Sequence, residues 1–359
     1  MFSPSYKEKE LKGEILLRVG VIGLGNMGKL HLMNAMRIRE VSVVAAADKS
    51  ERSRKFAERY HVKTYDDYRT LIDKEELDAV IISLPNFLKK ESVIYVAEHD
   101  LDIFLDKPLA RNFAEAQEIV RKVEKENVRL MVGVNYRYFP SVQKLMKNFE
   151  DGKVGDVVLA NSELVMNGPL SHGLVPVPVP DWWLNREMAG GGALLDLGYH
   201  LIDIFDLMFS DLRVKYSGLG YRFNLPVEDT AIVMLESGRT LAKCVVNVGW
   251  FSKMIFPDFN FRINIHGTVG YDSTERYAPK NLRIHAVKEA ALNFGRKISG
   301  RKVHYLSYTY YYSSFYEVLE TFFEMLKKGV ESPISLERQL GVMRIIDEVY
   351  RQHGVRANG

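Results

Sequence analysis

The chain of 359 residues is poor in several things, and each shortage excludes something. It has a single cysteine, Cys244. One thiol cannot form an internal disulfide, so the fold does not rely on an oxidising compartment. Gly and Pro are modest at 26 and 12 residues, which excludes collagen-like and low-complexity architectures. There is no excess of one charge: 49 Lys and Arg face 46 Asp and Glu, a formal net of +3. Proteins that track a polyanion concentrate positive charge, so no nucleic-acid partner is expected. No run of about 18 residues is free of charge, the length a membrane-spanning helix needs. The most apolar stretch, Gly190 to Phe209, still carries Asp196, Asp203 and Asp206. Met1 to Glu10 have neither an apolar core nor a small-residue cleavage site. The expectation is a soluble cytoplasmic protein of two domains, with no membrane partner and no metal.

What is present alternates. Leu16 to Ile22 is short, apolar and β-branched, as a buried parallel strand should be, and a helical pattern follows from Lys29. Val41 to Ala47 reads as the next strand, with Ser50 capping a helix that runs to about Tyr60. Further strands are expected at 79–84, 101–105 and 128–134, separated by helices near 88–98 and 112–126. Strand and helix in regular alternation imply a doubly wound parallel sheet of the Rossmann type. Later, strands are expected over 156–165, 231–235, 240–246 and 259–265, with Ser237-Gly238 as a hairpin turn. Helices close the chain near 315–327 and 336–350.

Gly23-Leu24-Gly25-Asn26-Met27-Gly28 joins the first strand to the first helix. A pyrophosphate needs backbone N–H donors at close range and a helix N-terminus aimed at it. Gly23 permits the tight turn, Gly25 removes a Cβ from the pyrophosphate's path, and Gly28 lets helix and strand approach. Asp48 follows Gly28 at the spacing of a carboxylate that binds the adenosine ribose. Such a carboxylate repels a 2′-phosphate, so NAD is favoured over NADP. Lys49, Arg52 and Arg54 just beyond read as a solvated helix start.

Two further strands end in Leu84-Pro85-Asn86 and Asp106-Lys107-Pro108, on the rim where ligands bind in such sheets. Lys107 there is either a donor to a substrate oxygen or an ordinary surface lysine. Far along the chain, Gly190-Gly191-Gly192 precedes an apolar helix bearing Asp196, His200 and Asp203. Spacing of four places Asp196 and His200 on one face, where a carboxylate raises an imidazole pKa and orients the ring for acid–base work. Lys288, Arg296, Lys297, Arg301 and Lys302, among Gly295 and Gly300, read as exposed loop. The tyrosines from Tyr305 to Tyr316 read as a strand edge or an oligomer interface.

Together these pieces resemble the Gfo/Idh/MocA oxidoreductases. The resemblance runs from about Leu16 to Arg351, through the glycine motif, Leu84-Pro85-Asn86, Asp106-Lys107-Pro108-Leu109-Ala110 and 190–200. It continues in Val227-Glu228-Asp229-Thr230-Ala231 and His266-Gly267-Thr268-Val269-Gly270. It implies an N-terminal Rossmann domain over 1–135, with 1–14 as an extension. A substrate-binding and oligomerisation domain, built on a large open, mostly antiparallel sheet, is implied over 136–359. It implies oxidation of a secondary hydroxyl of a sugar, cyclitol or nucleotide-sugar, with NAD. Gly23, Gly25, Asn26, Met27, Gly28, Asp48, Leu84, Pro85, Asn86, Asp106 and Lys107 would hold the cofactor. Lys107, Asp196 and His200 would be catalytic: neutral His200 takes the hydroxyl proton, Lys107 steadies the oxyanion, and Asp196 keeps substrate and imidazole in register. Tyr136, Arg137, Trp183 and Asp196 would meet the substrate. For Tyr136 and Arg137 the alternative is interdomain packing, and for Trp182 and Trp183 it is a place in the core. The stiff Pro176 to Pro180 run reads as a lid or edge loop. A homodimer or tetramer is implied. Some relatives retain NAD and cleave glycosides through transient oxidation, and a non-catalytic sugar sensor on the same fold is a further alternative. The chain departs from the family pattern with Asp106 where Glu is usual and Lys89 where His is frequent.

Overall fold

The computed structural model describes residues 16–167, 180–251, 259–300 and 310–355. The Pro176 to Val179 part of the expected lid, with Tyr305, Tyr308, Arg301 and Lys302, lies outside them.

The first layer alternates as its sequence dictates. Strands β1 (Leu17–Ile22), β2 (Val41–Ala47), β3 (Lys63–Tyr65), β4 (Ala79–Ile82), β5 (Asp102–Leu105) and β6 (Leu130–Val132) are interleaved with helices α1 (Asn26–Ala35), α2 (Glu51–Glu58), α3 (Tyr68–Lys74), α4 (Asn86–Ala97) and α5 (Phe113–Lys125). The strands form one parallel sheet in the order β3-β2-β1-β4-β5-β6. Val19, Val21, Val80, Ile81, Ile103 and Phe104 are fully buried, because helices cover both faces. Ser50 caps α2 as expected, accepting from the Ser53 amide, and Asn112 caps α5, accepting from Glu115 at 2.9 Å. The strand order reverses between β1 and β4, which opens the crevice at their carboxyl ends.

The chain leaves this sheet through a tight 3-10 turn, Asn135–Tyr138, and enters α6 (Pro140–Glu150) with proline in its first turn. Next come β7 (Val157–Asn167), the short helix α7 (Arg186–Ala189) and a π-helical turn, Leu194–Gly198, that runs straight into α8 (Tyr199–Phe209). Strands β8 (Leu212–Gly220), β9 (Thr230–Ser237), β10 (Lys243–Phe251), β11 (Phe259–Gly267) and β12 (Tyr271–Ser273) complete a second sheet. Its order is β12-β11-β7-β10-β9-β8, antiparallel except where β10 meets β7. The sheet packs one face on α8, whose residues are almost all buried.

Helices α9 (Leu282–Ile298), α10 (Tyr310–Lys328) and α11 (Leu336–Gln352) follow. Two expectations fail here. Lys288, Arg296 and Lys297 lie on a helix, not a loop, because 282–298 is rich in Ala, Leu, Lys and Arg, all good helix formers. Tyr310, Tyr311, Tyr312 and Tyr316 also lie on a helix, not on a strand edge. Helix α10 then folds back on α1, and α11 packs on both α8 and α5, so the last helices bind the two sheets together.

Arg137 anchors the crossover turn. Its guanidinium donates to both carboxylate oxygens of Asp203, at 2.6 and 2.5 Å, and Gln339 of α11 donates to the same carboxylate at 2.6 Å. Both charges are almost fully buried, at 9% and 1% side-chain exposure. Removing one partner would strand the other charge in the interior, a loss of about 3–5 kcal/mol in such pairs. We therefore expect Arg137→Ala to lower the unfolding free energy by about 3 kcal/mol, read as a shifted urea midpoint.

Candidate active site

A cavity of about 460 Å³ lies at the switch point between β1 and β4 and reaches the second sheet. Its walls include Gly23, Gly25, Asn26, Met27, Asp48, Leu84, Pro85, Asn86, Asp106, Lys107, Tyr136, Trp183, Asp196 and His200. Of the residues expected to be catalytic or to hold cofactor or substrate, Gly28 and Arg137 are absent from those walls. Gly28 acts one layer behind: a Cβ there would come within 1.9 Å of the Gly23 carbonyl oxygen, so only glycine lets α1 approach β1. Arg137 is a correction. Its guanidinium is paired with Asp203 away from the cavity walls, which is the interdomain-packing alternative.

The glycine loop fits a dinucleotide. Gly23 adopts φ +87, a left-handed turn that glycine tolerates without strain. Gly25 lines the cavity, and a Cβ built on it meets nothing within 4 Å, so its bare face looks onto open space. Asp48 ends β2 with its carboxylate accepting from the Leu24 amide at 2.6 Å and the Ser50 amide at 2.8 Å. It thereby ties the glycine loop to the end of β2. Arg54, a conceivable phosphate ligand, is spent on the carbonyls of Asp48 and Lys49 at 2.8 and 3.0 Å. Asn86 opens α4 and donates to the Ala189 carbonyl at 2.8 Å, clamping the two halves.

Lys107 and Asp196 meet across the cavity. Lys107 Nζ donates to Asp196 Oδ1 at 2.7 Å and to the Asp196 carbonyl at 2.8 Å. Lys89 sits beneath, 1% exposed, donating from Nζ to the carbonyls of Asp106 (2.7 Å) and Pro108 (2.9 Å). It grips the backbone on both sides of Lys107. Burial lowers its pKa to about 7. Burial also disfavours ionisation of Asp106, but His31 at 3.8 Å, with Lys89 and Lys107, outweighs this and holds its carboxyl below the usual range.

His200 is not paired with Asp196, contrary to the spacing argument. The π-helical turn at Leu194–Gly198 is wider than an α-turn, so residues four apart no longer stack. Asp196 turns instead to Lys107 and to Trp250, whose Nε1 donates to Oδ2 at 3.2 Å. The imidazole stacks on Tyr136, ring centroids 4.1 Å apart, and its Nδ1 is buried without a hydrogen-bond partner. Burial, then the nearby Lys107 charge, pushes its pKa well below the ordinary histidine value, the opposite of the expected direction. The ring is therefore neutral at pH 7.

Some participants were not legible as such. Glu228, fully buried, accepts from the Gly192 and Leu194 amides at 2.8 and 3.2 Å and from the Tyr350 hydroxyl at 2.7 Å. It fixes the glycine run, where a Cβ on Gly192 would meet the Glu228 carbonyl oxygen at 2.0 Å. The glycines thus serve close packing more than freedom. Trp250 and Tyr311 complete the wall, and Trp250 lies nearly parallel to Trp183, 8° between planes and 6.4 Å between centroids.

Comparison with known proteins accords with this geometry. Residues 17–134 match the model of an oxidoreductase family with an NAD-binding Rossmann fold, and residues 142–271 match the GFO/IDH/MocA C-terminal domain. The chain belongs to the Gfo/Idh/MocA family, an NAD(P)-dependent dehydrogenase class acting on hydroxyl groups. It is 27% identical to myo-inositol 2-dehydrogenase of Thermotoga maritima over 334 residues, covering 89% of this chain and 91% of that one. It is 31% identical to levoglucosan dehydrogenase of Pseudarthrobacter phenanthrenivorans over 207 residues, 52% of this chain and 50% of that one. Among solved structures, GenD2 from gentamicin A biosynthesis, in complex with NAD, superposes with a TM-score of 0.77 at 17% identity, covering 94% of each chain. Levoglucosan dehydrogenase in complex with NADH gives 0.76 at 21% identity, covering 94% of this chain and 97% of that one. At those identities the structures speak for the fold.

The buried imidazole sets a pH dependence. Its folded pKa is depressed, so between that value and about 6.5 the unfolded chain binds a proton that the folded chain refuses. The stability is present in full above the unfolded pKa and falls as pH drops below it, by up to about 1.4 kcal/mol per pH unit. His200→Gln should flatten that decline between pH 7 and pH 5, measured by urea unfolding of both proteins.

Proposed function

We propose that the enzyme interconverts a secondary hydroxyl and a ketone on an uncharged cyclic polyol, a sugar or cyclitol, with NAD as its redox partner. The observation that carries this is the convergence of Lys107, Asp196 and neutral His200 on one cavity beside the glycine loop. Bound NAD supplies the two-electron acceptor or donor. The rest is the work of side chains. Neutral His200 accepts the hydroxyl proton in the oxidative direction and returns it in the reductive one. Lys107 donates to the substrate oxygen and steadies the negative charge that grows there. Asp196 keeps the ammonium aimed, while Trp250 holds the carboxylate from its other oxygen.

The cavity lining also narrows the substrate class. Among the described residues its only cationic side chains are Lys89 and Lys107, the first bonded to backbone carbonyls and the second to Asp196. A phosphate or carboxylate on the substrate would find no arginine fork. Trp183 and Trp250 instead offer indole rings that suit the apolar face of a pyranose or cyclitol. This favours neutral rings over nucleotide-sugars. Asp48 at the ribose end favours NAD over NADP.

The test is a panel of inositols, neutral sugars and nucleotide-sugars, followed by the absorbance of reduced nicotinamide. Turnover is expected with a neutral ring. Lys107→Met and His200→Asn should each lower kcat by about 10²–10⁴-fold while dinucleotide affinity changes little. Unchanged turnover in both variants, or activity confined to nucleotide-sugars, would reject the assignment. NADP used as well as NAD would reject the role of Asp48.

A further inference from the structure

Helix α9 is amphipathic the wrong way round. Ile284, Val287, Phe294 and Ile298 are 68, 72, 68 and 73% exposed. With Ala291 they recur at steps of three and four residues, so they form one continuous stripe along the helix. The less exposed side is polar: His285, Glu289, Asn293 and Arg296 turn toward the protein, where Arg296 pairs with Glu289 at 3.6 Å and donates to Asn293 at 2.8 Å. Exposed Lys288 edges the apolar stripe on one side and exposed Lys297 on the other, as 3.6 residues per turn places them. Neither has an ion-pair partner among the described residues.

We propose that α9 is a docking surface for an anionic lipid bilayer, on which the enzyme rests with the apolar stripe entering the acyl boundary. A long apolar stripe bordered by lysines is the pattern of interfacial helices: the stems lie along the apolar surface and the ammonium groups reach the headgroups. The charge pattern selects this occupant over a second copy of the same helix, which would bring Lys288 and Lys297 against their own kind. The contact is lateral, since no helix among the described residues is long and apolar enough to cross a membrane, and it departs from the expectation of no membrane partner, which rested on the lack of a spanning segment. None of the stripe residues lines the active-site cavity, so the proposal stands apart from the catalytic reading.

The experiment is co-sedimentation of the full chain with vesicles of phosphatidylglycerol and phosphatidylcholine in equal parts, against vesicles of phosphatidylcholine alone. Binding to the anionic vesicles is expected to be about tenfold tighter or more and to weaken with salt. Val287→Glu with Phe294→Glu should abolish sedimentation, and Lys288→Glu with Lys297→Glu should erase the preference for anionic vesicles. Both variants should keep wild-type thermal unfolding and dinucleotide binding. No sedimentation of the wild type, or equal sedimentation of Val287→Glu/Phe294→Glu, overturns the proposal. A dimer seen by light scattering that Phe294→Glu dissociates, with no vesicle binding, also overturns it and assigns the stripe to a second copy.

Discussion

The pairing of Lys107 with Asp196 is the contact on which the site depends. The lysine ends a strand of the parallel sheet, and the aspartate sits in the π-helical turn that leads into α8. Neither element holds the other by sequence proximity; they are 89 residues apart. Each side is therefore braced separately. Lys89 grips the carbonyls flanking Lys107, and Glu228 grips the amides that open the Asp196 turn. A partly buried ion pair gains little net free energy, because desolvation offsets the Coulombic attraction. Its value here is registry: it brings the two sheets to one geometry at the cavity between them.

That pairing also governs the histidine. An imidazole placed near an unpaired ammonium, in a buried position, would be a poor candidate for any charged state. Burial first, and then the nearby Lys107 charge, keep His200 neutral and stacked on Tyr136. A general base must be unprotonated before the reaction and able to accept a proton during it. The structure achieves the first by burial. On the proposed reading the second falls to the same ring, which takes up the substrate's proton only as the reaction proceeds.

Much of this was legible in the sequence, for physical reasons that are local. The Gly23 to Gly28 loop and Asp48 were readable because a strand, a tight turn and a helix occupy consecutive residues, and each glycine answers to a single steric demand. Lys107 and Asn86 were readable as rim residues once the alternation of elements was seen. What escaped was long-range or depended on helix geometry. Trp250 reaches Asp196 from a strand 54 residues later, and Tyr311 from a helix after the second sheet. Arg137 carries the chemistry of an anion ligand, but its partner, 66 residues away, is a buried aspartate. The pairing of Asp196 with His200 presumed an α-helical pitch that the π-turn does not have. Helix α9 escaped because its basic residues, with Gly295 and Gly300, read as exposed loop, which hid the helical spacing of its apolar residues.

The near-balance of charge in the chain takes on meaning at the cavity. A dinucleotide carries negative charge, yet among the described residues the cavity walls hold no unpaired cation. The arrangement resolves this by using dipoles where charges would interfere. Backbone N–H groups at the α1 terminus, exposed by the missing Cβ of Gly25, offer partial positive charge without a mobile counterion. A lysine or arginine placed there would compete with Lys107 for Asp196 and would also lower the affinity of His200 for its proton still further. Both lysines that do reach the cavity are already neutralised or bonded, Lys107 by a carboxylate and Lys89 by carbonyls. On the proposed reading, holding an anionic cofactor by backbone while one ammonium serves the reacting oxygen separates binding from chemistry without calling on a basic surface.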